Sequence, residues 1–278
     1  MARIVALVNQ KGGVAKTTSC LALGAALADR GQRVLLVDLD PQASLTSATG
    51  VDVAPDAPTL YTALHAFIST GDVLDLRGVI RSVAPSLDLA PASIELAGAE
   101  LELQNAVRRE YVLGETLSAI QSEYDMVLLD CPPSLSLLTV NALVAADEAL
   151  VPVAPDYLAS RGLGLLLTSI AQTRKAKLNP RLRVAGVILT MTDFRTVHSR
   201  ETADGIRAFL GDDIPLLGEV KRSTKAAEAS AAGLPVTAYA PHSEAALAYE
   251  QIADALLAQW GAAPPAAAPT TRMGVLNG

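Results

Sequence analysis

The sequence predicts an α/β fold, a mainly parallel twisted sheet with helices on both faces, and three observations carry that prediction. Short β-branched and leucine-rich runs alternate with longer amphipathic stretches, the order expected of strands joined by helical crossovers. Half of the 278 residues are hydrophobic and 18% are charged, with a mean hydropathy of +0.32, so apolar side chain is ample for a large core. The length lies within the range of one large α/β domain.

In chain order, IVALV (4–8) is the first strand, followed by a Gly-Gly turn and a long Ala/Leu-rich helix over 16–30. RVLLVD (33–38) and LDLA (87–90) supply the next two strands, and helices are expected over 97–105 and 111–121. DMVLLD (125–130), EALVPV (148–153), RVAGVILT (183–190) and IPLL (214–217) complete the strand set. Between and after them the periodicity predicts helices over 135–145, 161–177, 199–210, 224–232 and 243–260. No internal repeat interrupts the pattern. Residues 1–260 therefore read as one domain, and the Ala/Pro-rich tail over 261–278, with a single charge and no periodicity, reads as a disordered extension.

Composition excludes several functions. Aromatic residues are only 4%, too few for a platform that stacks single-stranded bases. Two cysteines, Cys20 and Cys131, cannot build a disulfide framework or a zinc cluster, and His65, His198 and His242 lack metal-ligand spacing. The N-terminal apolar run is too short for a signal peptide, no stretch reaches membrane-spanning length, and a cytoplasmic protein is expected. The formal net charge is −7, yet residues 174–225 hold 11 Lys/Arg against six Asp/Glu. An anionic partner could dock on that segment.

The strongest local signal is VNQKGGVAKTT, Val8 to Thr18, between the first strand and the first helix. Gly12 and Gly13 let successive backbone N–H groups turn inward as an anion cradle, and the helix N-terminus adds its partial positive charge. Lys16 can then reach terminal phosphates and Thr17 can offer its hydroxyl to Mg²⁺. The general pattern G-x-x-x-x-G-K-[ST] is broken at both glycines, by Lys11 and by Ala15. Asp38, Asp40 and Asp130 stand at strand C-terminal ends beside this loop, which favours a shared ligand in the crevice there. Cys131 reads as a small buried hydrophobe.

As a whole, KGGVAKTT resembles the deviant phosphate loop KGGxGKT of the ParA/MinD superfamily of ATPases. VLLVDLDPQ (34–42) is similar to that family's first switch, LDLAPASIELAGAELEL (87–103) to its LDLIPxNIDLAGAEIEL segment, MVLLDCPPSLSLLTVNAL (126–143) to its Walker B strand and second switch, and VILTMTDFRT (187–196) to its LLTMYDxRT block. The ordered blocks span most of residues 3–260. The resemblance implies a P-loop NTPase that binds ATP and Mg²⁺ through Lys11, Gly12, Gly13, Val14, Ala15, Lys16, Thr17, Thr18, Asp38 and Asp130. It implies that Lys11 crosses a dimer interface to the partner's nucleotide, acting like an arginine finger. Asp40 would position the attacking water and join Thr17 and Asp130 around the metal, while Asp38 would support the phosphate loop and metal. Ala15 replaces the family's glycine, and a helical backbone is expected there, in which a methyl is harmless.

The resemblance further implies a ParA/Soj-type partitioning ATPase that forms an ATP-dependent homodimer, binds double-stranded DNA without sequence preference on the nucleoid, and is stimulated by a ParB-like centromere-binding partner. Aligning AEASAAGLPV (227–236) on the family's SEAPSxGxPI places Lys225 at its DNA-contacting arginine, with Lys221 and Arg222 just before it and Arg195 as a second candidate. A second basic run, RKAKLNPRLR (174–183), ends a predicted helix, where dipole complementation and solubility explain it. The alternatives are a MinD-like or cargo-positioning ATPase and a weakly hydrolysing ATP-dependent DNA-binding switch. The Pro/Ala tail lacks the basic amphipathic helix that membrane cycling requires.

Overall fold

The computed structural model describes residues 1–157, 159–193 and 197–261. The predicted tail therefore lies, from residue 262 onward, outside the described residues. β1 (Arg3–Leu7), β2 (Val34–Asp38), β3 (Arg81–Ala84), β4 (Leu87–Ala90), β5 (Met126–Asp130), β6 (Glu148–Val153), β7 (Arg183–Thr192) and β8 (Leu216–Lys221) form one sheet in the order β3-β4-β2-β5-β1-β6-β7-β8. Every pairing is parallel except the edge pair β3–β4. Parallel strands need crossovers, and the helices supply them: α1 (Lys16–Asp29), α2 (Ser44–Ala48), α3 (Leu60–Thr70), α4 (Leu96–Leu103), α5 (Val112–Ser118), α6 (Leu137–Ala145), α7 (Ala159–Lys175), α8 (Val197–Leu210), α9 (Thr224–Ala231), α10 (Val236–Tyr239) and α11 (Glu244–Trp260).

Each central strand is buried on both faces because alternate residues enter different cores. Leu35 and Val37 of β2 join the cluster under α3 to α8, whereas Val34 and Leu36 join the one under α1 and α9 to α11. This double burial explains why the strands read as unbroken apolar runs. Among the described residues, no helix is long and apolar enough to cross a membrane.

Four elements escape the sequence pattern. β3 is a short antiparallel edge with a bulge, and α2 and α10 are too short to show a period. α3 buries only Leu60, Ala63 and Leu64; its signal is the Thr59 cap, whose N–H donates to the Thr62 hydroxyl at 3.1 Å. The last strand also begins two residues later than expected and runs to Lys221.

One backbone contact ties the two ends of the chain together. Gly50, after α2, and Gly233, after α9, both have left-handed backbones, and a Cβ built on Gly233 would lie 2.7 Å from the Gly50 Cα. Gly233→Ala should therefore lower the unfolding free energy by about 2 kcal/mol or more, from strain and overlap combined. Urea denaturation of the variant checks this, and an unchanged midpoint would mean the two turns are free to separate.

Candidate nucleotide site and basic edge

The C-terminal ends of β1, β2 and β5 place the loop and the three aspartates together. Leu7 and Asp38 both stand in register with Asp130 on β5. The loop is pinned at several points. The Asn9 side-chain amide donates to the Pro152 carbonyl at 2.7 Å, the Lys11 N–H donates to the Asn9 side chain at 3.0 Å, and the Thr190 hydroxyl donates to the Val14 carbonyl at 3.0 Å. Gly13 has a left-handed φ of 71°, which a cradle of inward N–H groups requires. The Lys16 ammonium donates to the Lys11 carbonyl at 3.2 Å and lies buried beneath the loop.

Ala15 corrects one expectation. Its backbone is left-handed (φ 58°, ψ 33°) rather than helical, so its methyl sits in the strained region that the family's glycine avoids. The Ala15 carbonyl still accepts the first helical bond, from the Ser19 N–H at 2.9 Å.

The carboxylates differ in environment. Asp130 is buried; its Oδ2 accepts the Thr17 hydroxyl at 2.7 Å, while its Oδ1 has no hydrogen-bond partner among the described residues. Burial pushes its carboxyl up to about 8, and the nearby Asp38 charge adds to the effect. Asp38 spends both carboxylate oxygens on the segment that follows its own strand. Its Oδ2 accepts both the N–H and the hydroxyl of Thr46, each at 2.8 Å, and its Oδ1 accepts the Asp40 N–H at 3.1 Å. Burial raises it to about 6, against those bonds. Asp38 thus fastens α2 to the sheet. Asp40, half-buried, accepts the Gln42 N–H at 2.9 Å. Burial lowers the Lys16 pKa, with the Asp130 charge opposing it. Cys131 is buried and its thiol is pushed up by that burial, as a structural cysteine should be.

This donor set fits a phosphate chain carrying a divalent cation. An orphaned buried carboxylate oxygen, a hydroxyl beside it and like-charged carboxylates call for a cation, and the cradle with Lys16 calls for an anion. Lys11 lies outside this cluster, exposed, with its ammonium ion-paired to Asp156. Val14 is buried in the loop, and Thr18 lies in the first turn of α1.

Lys221, Arg222 and Lys225 gather where β8 gives way to α9. The Arg222 N–H donates to the Thr192 carbonyl at 3.0 Å, fixing this turn against β7. All three side chains are exposed, yet Lys221 meets Glu244 at 3.1 Å and Lys225 meets Glu228 at 2.7 Å. The three cations stand together, and two of them are matched by neighbouring carboxylates. Arg195 lies outside the described residues.

A family model described as an AAA domain matches residues 2–184. The sporulation initiation inhibitor protein Soj of Bacillus subtilis is 40% identical over 253 residues, covering 91% of this chain and 97% of the relative. The chain belongs to the ParA/Soj family of partitioning ATPases. The chromosome partitioning protein ParA of Caulobacter vibrioides is 41% identical over 239 residues, 85% of this chain and 87% of the relative. A crystal structure of cobyrinic acid a,c-diamide synthase from Mycobacterium smegmatis with bound ADP and magnesium superposes with a TM-score of 0.79 at 37% identity, over 94% of this chain and 96% of that one. Against this ParA/Soj frame, sequence reasoning missed Asn9, Thr46, Asp156 and Thr190. Thr46 was findable as a hydroxyl in the segment just after the DLDPQ motif; the others act through pairings that span more than 140 residues.

Two outcomes follow from the site. Ala15→Gly should raise the unfolding free energy by about 1 kcal/mol, measured in urea, because the left-handed strain is relieved; a loss would assign the loop geometry to something other than strain. Asp130 is protonated more readily in the folded state than at its ordinary value of 3.8. Its contribution is fully present below that value and lost as pH rises through about 8, so nucleotide-free protein should lose stability from about pH 4 to about pH 8. Asp130→Asn should flatten that decline, and a wild-type midpoint that rises across the window would contradict the assignment.

Proposed function

We propose that this ParA/Soj-family protein dimerises on ATP, binds nucleoid DNA without sequence preference and is released by hydrolysis that a ParB-like partner stimulates. The observation that carries the reading is the composition of the strand C-terminal edge. There the phosphate cradle, the unpartnered Asp130 oxygen and the exposed Lys11 lie beside the loops that bear the exposed apolar residues Ile94, Leu135 and Tyr157. Exposed apolar side chains around a charged site are what a second copy would cover. Gly12 supports the same reading. Its φ is not left-handed, and a Cβ there would meet only Pro133 at an ordinary 3.8 Å. Within the described protomer a side chain would fit there, and the open space above Gly12 is what a close-approaching second copy would use.

In this mechanism the cradle and Lys16 hold the phosphates, while Thr17 and Asp130 are the residues that would hold Mg²⁺. Magnesium, when bound, neutralises charge on the phosphates. Asp40 lies at the mouth, within electrostatic reach of Lys16 and Asp130, where it positions and orients the attacking water. Lys11 leaves Asp156 and reaches the partner's nucleotide, bringing a cation to the charge that builds in phosphoryl transfer. Asp38 and Thr46 carry the state of this edge into α2, and the Gly50–Gly233 contact carries it to the turn after α9. Phosphates of DNA displace Glu228 and Glu244 from Lys225 and Lys221, and Arg222 adds a cation that has no ion-pair partner among the described residues.

Binding to a random-sequence duplex without nucleotide, with ADP, and with Mg²⁺ plus ATP or a slowly hydrolysed analogue tests this directly. The triphosphate forms should bind at least ten-fold more tightly than ADP. Lys16→Ala should lose nucleotide, Asp40→Ala should bind both ligands and stay locked as a dimer, and Lys225→Glu should keep the dimer while losing the triphosphate-dependent gain in DNA affinity. Equal affinity in the ADP and triphosphate states would overturn the proposal.

A further inference from the structure

The basic run after α7 is built differently from the patch at β8. Arg174 and Lys175 occupy the last turn of α7, and Lys177 and Arg181 lie in the turn that leads into β7. All four are exposed. Among the described residues none of them has an ion pair, whereas Lys221 and Lys225 each have one and Arg183, at the end of the run, is held by the buried Glu148. Asp147, which precedes β6 at this edge, accepts the Ile4 N–H through its carboxylate at 2.9 Å and forms no ion pair with the four among the described residues.

The turn is rigid. The Leu178 N–H donates to the Thr173 carbonyl at 3.2 Å and the Lys177 N–H to the Arg174 carbonyl at 3.0 Å, the bond pattern that closes a helix on a left-handed residue. The Asn179 amide donates to the Leu143 and Ala146 carbonyls at 3.0 and 2.6 Å, and Leu182 is fully buried. The left-handed residue is Lys177, with φ 60°, a position where glycine is unstrained and where α3 and α11 use Gly71 and Gly261. Dipole complementation accounts for Arg174 and Lys175 but not for Lys177 and Arg181, which lie past the helix.

We infer that this edge is a second contact surface for the phosphate backbone of duplex DNA, independent of the nucleotide. It lies where β6 and β7 begin, at the opposite edge of the sheet from the phosphate loop, so neither the site nor a copy docked over it occludes the run. Its chemistry selects the partner. Within the run itself, residues 174–183, no large hydrophobic side chain is exposed; the exposed Leu165 and Phe209 lie up the α7–α8 face, away from the turn that carries Lys177 and Arg181. No aromatic residue lies within the run, so bases have nothing to stack on. What remains is a preorganised set of unmatched cations, which suits a regular array of phosphates. This contact adds to the nucleotide-gated one proposed above and stands without it.

The experiment is fluorescence anisotropy of a labelled random-sequence duplex with the full chain, without nucleotide, between about 50 and 200 mM salt. The comparison is a variant carrying Arg174→Gln, Lys175→Gln, Lys177→Asn and Arg181→Gln together. The wild type should bind at the low-salt end, and the variant should bind at least ten-fold more weakly, with the slope of log affinity against log salt reduced by about three. The triphosphate-dependent gain should survive in this variant and vanish in Lys225→Glu. An unchanged slope and affinity, or no binding by wild type at low salt, would overturn the inference whatever Lys225→Glu does; loss of the triphosphate gain from the wild type would overturn only the nucleotide-gated reading.

Discussion

The structure turns on two aspartates held side by side in the dark. Asp38 and Asp130 end adjacent strands in register, both buried, and each raises the cost of charging the other's surroundings. Asp38 is relieved by three hydrogen bonds from α2 and its own turn, whereas Asp130 keeps one oxygen without a partner. A sheet that ends in such a pair is incomplete by itself. Lys16, buried in the same pocket, offsets part of the charge but is drawn toward the Lys11 carbonyl. The site is thus prepared for a ligand that brings a cation to Asp130 and an anion to Lys16, and the fold's double-sided burial supplies the low dielectric that makes both interactions strong.

Most of the fold is legible because most of it obeys one rule. Strands covered on both faces must be apolar throughout, so β1, β2, β5, β6 and β7 announce themselves, and the crossover helices follow at helical period. Legibility fails where local sequence is overruled. β3 is an edge with little to bury, α2 is five residues held by Asp38 rather than by its own propensity, and α3 depends on a threonine cap. The last strand shifted because its polar end, Glu219 to Lys221, pairs with β7 without an apolar signature.

The site was legible as residue types and less so as geometry. Lys16, Thr17 and Asp130 meet as their motif demands, since each works at short range from a strand or helix end. Asp38 and Ala15 show two features that the motif does not name. Asp38 found the hydroxyl of Thr46 eight residues on, a partner that no spacing rule names, and Ala15 takes a backbone that its residue type disfavours because Asn9, Thr190 and the cradle fix the loop around it. The charged surfaces show the same limit. Sequence gives the density of cations along the chain, but only the structure tells which of them already face a carboxylate.

The most direct measurement is the proton balance of Mg²⁺–nucleotide binding, by calorimetry at about pH 7 in two buffers of different ionisation enthalpy. An Asp130 carboxyl raised to about 8 is largely protonated before binding and must give up its proton when a cation occupies the site. The account predicts release of a substantial fraction of one proton by the wild type and almost none by Asp130→Asn. Binding without proton release, or the same release from both, would contradict it.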